Sequence, residues 1–197
     1  MKKQLFCTCL LIHGFLPLFV TGYPIGFVGN ACGSMMPIHN ASAQSLSAPY
    51  AVTASQANFN QGNQITVTLQ AISGIFEGFL LEACQINGNT IVGTFTLQNS
   101  TISQTLQCSG AVSSISHTFD ILKSQVKAIW TAPNTPNLGN VEFRVTFVQN
   151  FTVFWVNVKS SVLPSVFSKA STTVPNTVLL LSVLTAAITQ VFHFESH

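Results

Sequence analysis

Charge is scarce in this 197-residue sequence: seven Lys or Arg and five Asp or Glu make up 6% of it, where an ordinary soluble domain carries about a quarter. The shortage excludes several functions at once. A formal net charge of +2, with Lys123, Lys127, Arg144, Lys159 and Lys169 scattered singly, leaves no basic patch for a nucleic acid. The sequence lacks a G-x-S-x-G elbow and an H-E-x-x-H helix. His117 and Asp120 stand close in sequence but have no nucleophile at motif spacing, so no catalytic residue is assigned. Helical periodicity is missing before Val178, and no run reaches the roughly 20 apolar residues that a bilayer-spanning helix needs. A polar surface must therefore come from Ser, Thr, Asn and Gln, a composition suited to a secreted chain that glycans help to keep soluble.

Both ends have the character of processing signals. Lys2 and Lys3 precede the apolar stretch Leu5 to Val20, and Val20-Thr21-Gly22 supplies small residues, so a signal peptide over 1–22 is expected. The alternative is a membrane anchor, for which the stretch is short. At the other end Val178 to Phe192 is uncharged. It follows small residues at Ser168 to Ser171 and a polar spacer at Thr172 to Thr177, the order of a glycolipid-anchor signal. The polar finish "HFESH" counts against that reading, so a lipid anchor, a single-pass helix and a soluble protein all stay open. The expected partition is signal peptide 1–22, β-sandwich 23–162, Ser/Thr/Pro stalk 163–177 and hydrophobic tail 178–197. The expected location is extracellular or at the cell surface.

Cys7 and Cys9 would leave with the leader, which leaves Cys32, Cys84 and Cys108. In an oxidising compartment three cysteines mean one bridge and one odd thiol, and the residues alone do not choose among the three pairs. Asn40-Ala41-Ser42, Asn99-Ser100-Thr101 and Asn150-Phe151-Thr152 are acceptor sequons for the same compartment. The stretch "YPIGFVGNACGSMMPIH" (residues 23–39) gathers a cysteine, two methionines and a histidine, the residue types of a metal site. A metal needs convergent His, Cys or carboxylate ligands, and the body of the chain offers only His39 and His117. Structural hydrogen bonding is the expected role of both, and no metal or cofactor is assigned.

Between the ends the apolar residues alternate. "QITVTLQ" sets Ile65, Val67 and Leu69 on one face, "QVKAIW" sets Val126, Ala128 and Trp130, and "VEFRVTFV" sets Val141, Phe143, Val145 and Phe147 against Glu142, Arg144 and Thr146. Such alternation marks half-buried antiparallel strands. "TVFWVNV" is apolar on both faces and is expected to be a central or covered strand. Asn87-Gly88 is a two-residue hairpin signal between "GFLLEACQ" and "TIVGTFTLQ". Seven or eight strands are expected, from the candidates near 50–55, 64–71, 77–85, 90–98, 103–108, 114–119, 125–131, 141–149 and 151–158, one or two of them in excess. So many short strands in one domain-sized stretch predict a two-sheet sandwich.

The motifs line up in order with one family. Tyr23-Pro24, "CGSMMPIH" (Cys32 to His39), "GFLLEA" (Gly78 to Ala83), "GTF" (Gly93 to Phe95), Cys108, Ser116-His117, "WTAP" (Trp130 to Pro133), "FRVTFV" and "FWV" resemble the reeler domain. That module begins reelin and occurs in ferric-chelate reductase-like proteins and in insect secreted defence proteins. The resemblance implies an all-β, immunoglobulin-like antiparallel β-sandwich with a Cys32–Cys108 disulfide, which would make residues 23–39 a sutured N-terminal segment. Cys84 departs from the family pattern, and is either a buried free thiol or a pairing partner of another chain. In the reductase-like relatives the redox work belongs to separate haem-bearing membrane domains. The expected function is thus a non-catalytic recognition, adhesion or innate-defence module for an extracellular protein, glycan or microbial surface. The alternative is an accessory domain of a ferric-chelate reductase-like system without redox activity of its own.

Overall fold

A computed structural model describes residues 24–86 and 88–166. The expected signal peptide, most of the stalk, the tail and Asn87 of the hairpin signal lie outside them. Among the described residues nine strands, more than the seven or eight expected, follow a short 3-10 turn at Gly29–Ala31: β1 Tyr50–Ala54, β2 Gln64–Ala71, β3 Gly78–Gln85, β4 Thr94–Leu97, β5 Ser103–Leu106, β6 Ser114–His117, β7 Gln125–Thr131, β8 Val141–Asn150 and β9 Val153–Lys159. They form a four-stranded sheet, β1-β2-β7-β4, and a five-stranded sheet, β5-β6-β3-β8-β9, in which the paired strands are antiparallel. The chain is thus an all-β antiparallel sandwich, as the alternation predicts.

The alternating residues meet between the sheets. Ile65, Val67 and Leu69 of β2 and Val126, Ala128 and Trp130 of β7 face Phe79, Leu81 and Ala83 of β3 and Phe143, Val145 and Phe147 of β8. Trp130 anchors this core. Its ring is 0% exposed, meets Phe59 and Phe143 edge-on at 5.3 and 5.4 Å, and donates Nε1–H to Val92 O at 2.9 Å.

Four details depart from the expectations. The chain turns back after β3, with Cys84 bridging Ile91 and Val92 N–H bonding Ala83 O, but β3 and β4 do not pair as a hairpin. Gly93 sits at φ +75° and redirects the chain to the other sheet, so the expected strand 90–98 is split there. A Cβ at Gly93 would lie 2.3 Å from Trp130 Nε1 and 2.6 Å from Thr131 O, a clash that only glycine avoids.

The second departure is β8, which is buried on both faces. Glu142, Arg144 and Thr146, expected toward solvent, are 6%, 9% and 3% exposed. The third is β9, an edge strand rather than a central one. Its two apolar faces are explained by packing: Trp155 and Val158 lie against the main core, and Val156 against a second apolar cluster on the opposite face of the sheet. Its free edge is covered in part, since Phe154 O accepts from Gln44 N–H and Trp155 Nε1–H donates to Leu46 O. Finally, the residues expected to open the stalk continue the sandwich as far as Val166. Leu163 is 2% exposed and exchanges both backbone hydrogen bonds with Val141, and Val166 N–H bonds Phe59 O.

Candidate functional site

The five-stranded sheet is buried on both faces because the N-terminal segment lies across its outer side. Val28, Ala31 and Met35 of that segment pack on Leu80 of β3 and Leu106 of β5 as a second apolar cluster, bordered by Cys108 and Val156. The Cys32–Cys108 disulfide joins segment to sheet, with Cα atoms 5.4 Å apart and the two residues 76 positions apart in sequence. Hydrogen bonds add to the attachment. Gly33 N–H donates to Glu82 Oε1 at 3.1 Å, Ser116 Oγ–H to Gly26 O at 2.6 Å, and Thr146 Oγ–H to Met35 O at 2.5 Å. Met35 itself holds φ +58°, a region L-residues rarely occupy. Gly26 sits at φ +67°, and a Cβ there would lie 1.7 Å from His117 O, so only glycine lets the segment approach this closely.

Where the segment leaves the sheet, a pocket of about 280 Å³ opens between them. Val28, Ala31, Met35 and Pro37 form one wall; Phe79, Leu80, Val148 and Phe151 form the other. Polar groups enter as His39, His117, Glu77, Asp120 and Thr146. Apolar walls with a few polar groups are the usual make-up of a small-molecule site.

The two histidines share this pocket in different ways. His39 stacks on Phe151 with centroids 4.4 Å apart and meets Phe154 edge-on at 5.4 Å. Burial lowers its pKa from 6.5, an effect the Phe151 backbone partly offsets. His117 is 7% exposed, and its Nδ1 accepts the Phe79 N–H at 3.2 Å. Among the described residues the ligand atoms of these histidines do not converge with others as a metal cluster. The grouping that does converge, within 4.8 Å, is Cys32, Glu82 and Cys108, and the disulfide removes both sulfurs as thiolate ligands.

Glu82 belongs to the outer face of β3, beneath the disulfide. It is 0% exposed, its Oε2 has no hydrogen-bond partner, and neither has the Oγ of Ser114 paired with it across the strands. Burial pushes its pKa up, against the Gly33 hydrogen bond and the charge of Arg144. A carboxyl raised in this way favours the fold below its unfolded pKa near 4.5 and loses that contribution as pH rises through its folded value. Glu82→Gln keeps an acceptor for Gly33 without a titrating charge. Thermal unfolding across pH should therefore show the variant matching the parent in acid and exceeding it by on the order of 1 kcal/mol at neutral pH. An equal offset at every pH would contradict this.

Cys84 lies on the same outer face, 1% exposed and not in a disulfide. Burial pushes its thiol up to about 11, with Arg144 and Lys159 opposing and Glu82 and Glu142 adding to the rise. A thiol so buried is unreactive in this fold. Beside it Glu142 accepts from Arg144 Nε at 2.8 Å and Lys159 Nζ at 2.9 Å. Asn40, Asn99 and Asn150 are all exposed. Asn99 lies on the β4–β5 connection, Asn150 at the β8–β9 turn, and Asn40 next to His39, all toward the pocket end of the sandwich.

The pocket walls were not apparent as a site from the sequence. Leu80 and Val148 point outward from strands whose partners point inward, and their one visible sign is the unbroken apolar run in "GFLLEA". Glu77 and Asp120 carry no motif, and Met35, Pro37 and Phe151 become neighbours only through the disulfide and the β8–β9 turn.

Comparison with known proteins agrees with this architecture. The Reeler domain family matches residues 30–171. A putative ferric-chelate reductase 1 of Danio rerio is 47% identical over 78% of this chain, and ferric-chelate reductase 1 of Mus musculus 39% identical over 78%. The chain spans only 27% and 26% of the lengths of those two relatives. A putative defense protein Hdd11-like of Samia ricini is 36% identical over 72% of this chain and 86% of its own length. Among solved structures, the Reelin-N domain of F-spondin superposes with a TM-score of 0.56 at 16% identity, covering 72% of this chain and all of that one. The human F-spondin reeler domain gives 0.55 at 18% identity, over 64% of this chain and 94% of its own. On these matches, the chain belongs to the Reeler domain family.

Proposed function

We propose that the protein is a non-catalytic recognition module of the extracellular space or cell surface, and that the pocket beneath the N-terminal segment is where it recognises its ligand. The observation that carries this reading is the pocket itself: an apolar cavity whose one wall is a segment held in place by a disulfide. Relatives named as defense proteins, matched over most of their length, favour a module that acts by itself. Exposed sequons at the pocket end suit a secreted glycoprotein. The ferric-chelate reductase relatives, matched over about a quarter of their length, favour a second reading, an accessory domain beside a separate redox unit.

The test uses the full chain collected from secreting cells and its Val148→Phe variant, which fills the pocket. Binding to glycan arrays and to bacterial surfaces that the variant loses supports recognition through the pocket. Binding that the variant retains, or none by the parent, contradicts it.

A further inference from the structure

The electrostatics of the pocket select among ligand classes. Among the described residues no Lys or Arg lines it, whereas Glu77 and Asp120 do. The ion pairs of the described residues lie elsewhere, at Glu142, so neither carboxylate is in direct contact with a cation, although the charge of Lys123 acts on both from nearby. The nearest cation, Lys123, is 4% exposed and already committed: Nζ donates to the backbone carbonyls of Glu77, Phe119 and Ile121 at 2.6, 2.8 and 2.6 Å. An ammonium has three N–H donors, and all three are used on these carbonyls. An anionic head group would thus meet two carboxylates and find no free donor of positive charge. A cationic head would meet the same carboxylates and the ring of Phe151, whose one face His39 already covers and whose other can attract a cation.

The rest of the pocket calls for an apolar stem. A dry cavity of about 150 Å³ holds benzene, and this one has about 280 Å³. That is room for an alkyl chain of about eight to ten carbons by the same measure. The apolar lining also continues outward: Ile25, Ile38 and Phe119, each adjacent in sequence to a lining residue, are 52%, 53% and 56% exposed. Exposed apolar side chains grouped near a cavity mark a binding surface.

We propose that the pocket binds a small cationic amphiphile, a long-chain primary amine, with its alkyl stem between the N-terminal segment and the sheet and its ammonium at Glu77 and Asp120. This inference rests on the pocket being the recognition site and adds the chemistry of its ligand.

Isothermal titration of the full secreted chain at neutral pH tests it, with decylamine, decanol, decanoic acid and butylamine as probes, each below its aggregation concentration. Decylamine should bind at least about tenfold more tightly than decanol, one unit of log affinity for the charged head. Decanoic acid should be weaker again, and butylamine, which lacks the stem, should give no heat of binding. The double variant Glu77→Gln/Asp120→Asn, both positions lying outside the apolar walls, should bring decylamine down to the affinity of decanol. Val148→Phe should abolish both, with an unchanged far-ultraviolet spectrum showing that it folds.

Decanoic acid binding as tightly as decylamine, or a decylamine preference that survives the double variant, overturns the head-group assignment. No binding of any probe overturns the amphiphile, while surface binding that Val148→Phe removes would still support the pocket as the recognition site. Decylamine binding untouched by Val148→Phe places it on another surface and overturns both.

Discussion

Replacing Cys32 and Cys108 together by serine should lower the stability of the fold by about 4.5 kcal/mol, the chain-entropy value for a closed loop of this length. That corresponds to a drop in midpoint of roughly 15 °C for a domain of this size, read by thermal unfolding of the secreted protein. The location of the loss is as informative as its size. The main core between the sheets contains neither cysteine, whereas the cluster of Val28, Ala31, Met35, Leu80 and Leu106 borders Cys108. Hydrogen exchange should therefore rise first at residues 24–39 of the variant, with the amides of β2, β7 and β8 protected until global unfolding. A variant that loses less than about 1 kcal/mol, or that exchanges uniformly, would show that the segment does not depend on its suture.

Trp130→Ala is the second large effect. Truncating a buried aromatic costs about 3–5 kcal/mol through lost transfer energy and the cavity left behind. It also leaves Val92 O, the acceptor of Nε1–H at 2.9 Å, without its partner, worth roughly 1 kcal/mol more. The sum, about 5 kcal/mol, rivals the whole stability of an ordinary domain, so the variant should unfold near room temperature or fail to be secreted. Trp130→Phe retains most of the ring and loses mainly the hydrogen bond, so it should cost about 1–2 kcal/mol in denaturant titration. Equal losses in the two variants would contradict a dominant packing role.

These two positions show what could be seen in the sequence and what could not. Trp130 stands in a period-two run with Val126 and Ala128, and alternation of that kind reports directly on which residues share a face. The inner faces of β2, β7 and β8 were legible for that reason. The outer face of the five-stranded sheet was not. Glu142, Arg144 and Thr146 read as solvent-facing because alternation assumes water on the polar side, and here other parts of the chain cover them: Met35, 111 positions earlier, bonds Thr146, Asn89 bonds Arg144, and Lys159 joins Arg144 on Glu142. Long-range contact of this sort leaves no periodic trace.

The β3–β4 connection was misread for a related reason. Asn87-Gly88 indicates a tight turn, and the chain does turn back, but a local turn signal cannot say that Gly93 will pass the strand to the other sheet. The pocket combines both kinds of non-local information. Its walls come from the covering segment and from outward-facing strand positions, and its polar groups, His39, Glu77 and the neighbours His117 and Asp120, come from three separate stretches of chain.

The account depends on the N-terminal segment lying against the outer face of the five-stranded sheet, since without it there is no pocket. Methyl-labelled nuclear Overhauser spectroscopy on the oxidised protein tests this most directly. Cross-peaks are expected from the methyls of Val28 and Met35 to those of Leu80 and Leu106. Their absence, with Leu80 and Leu106 giving the exchange and relaxation behaviour of solvent-facing side chains, would contradict it.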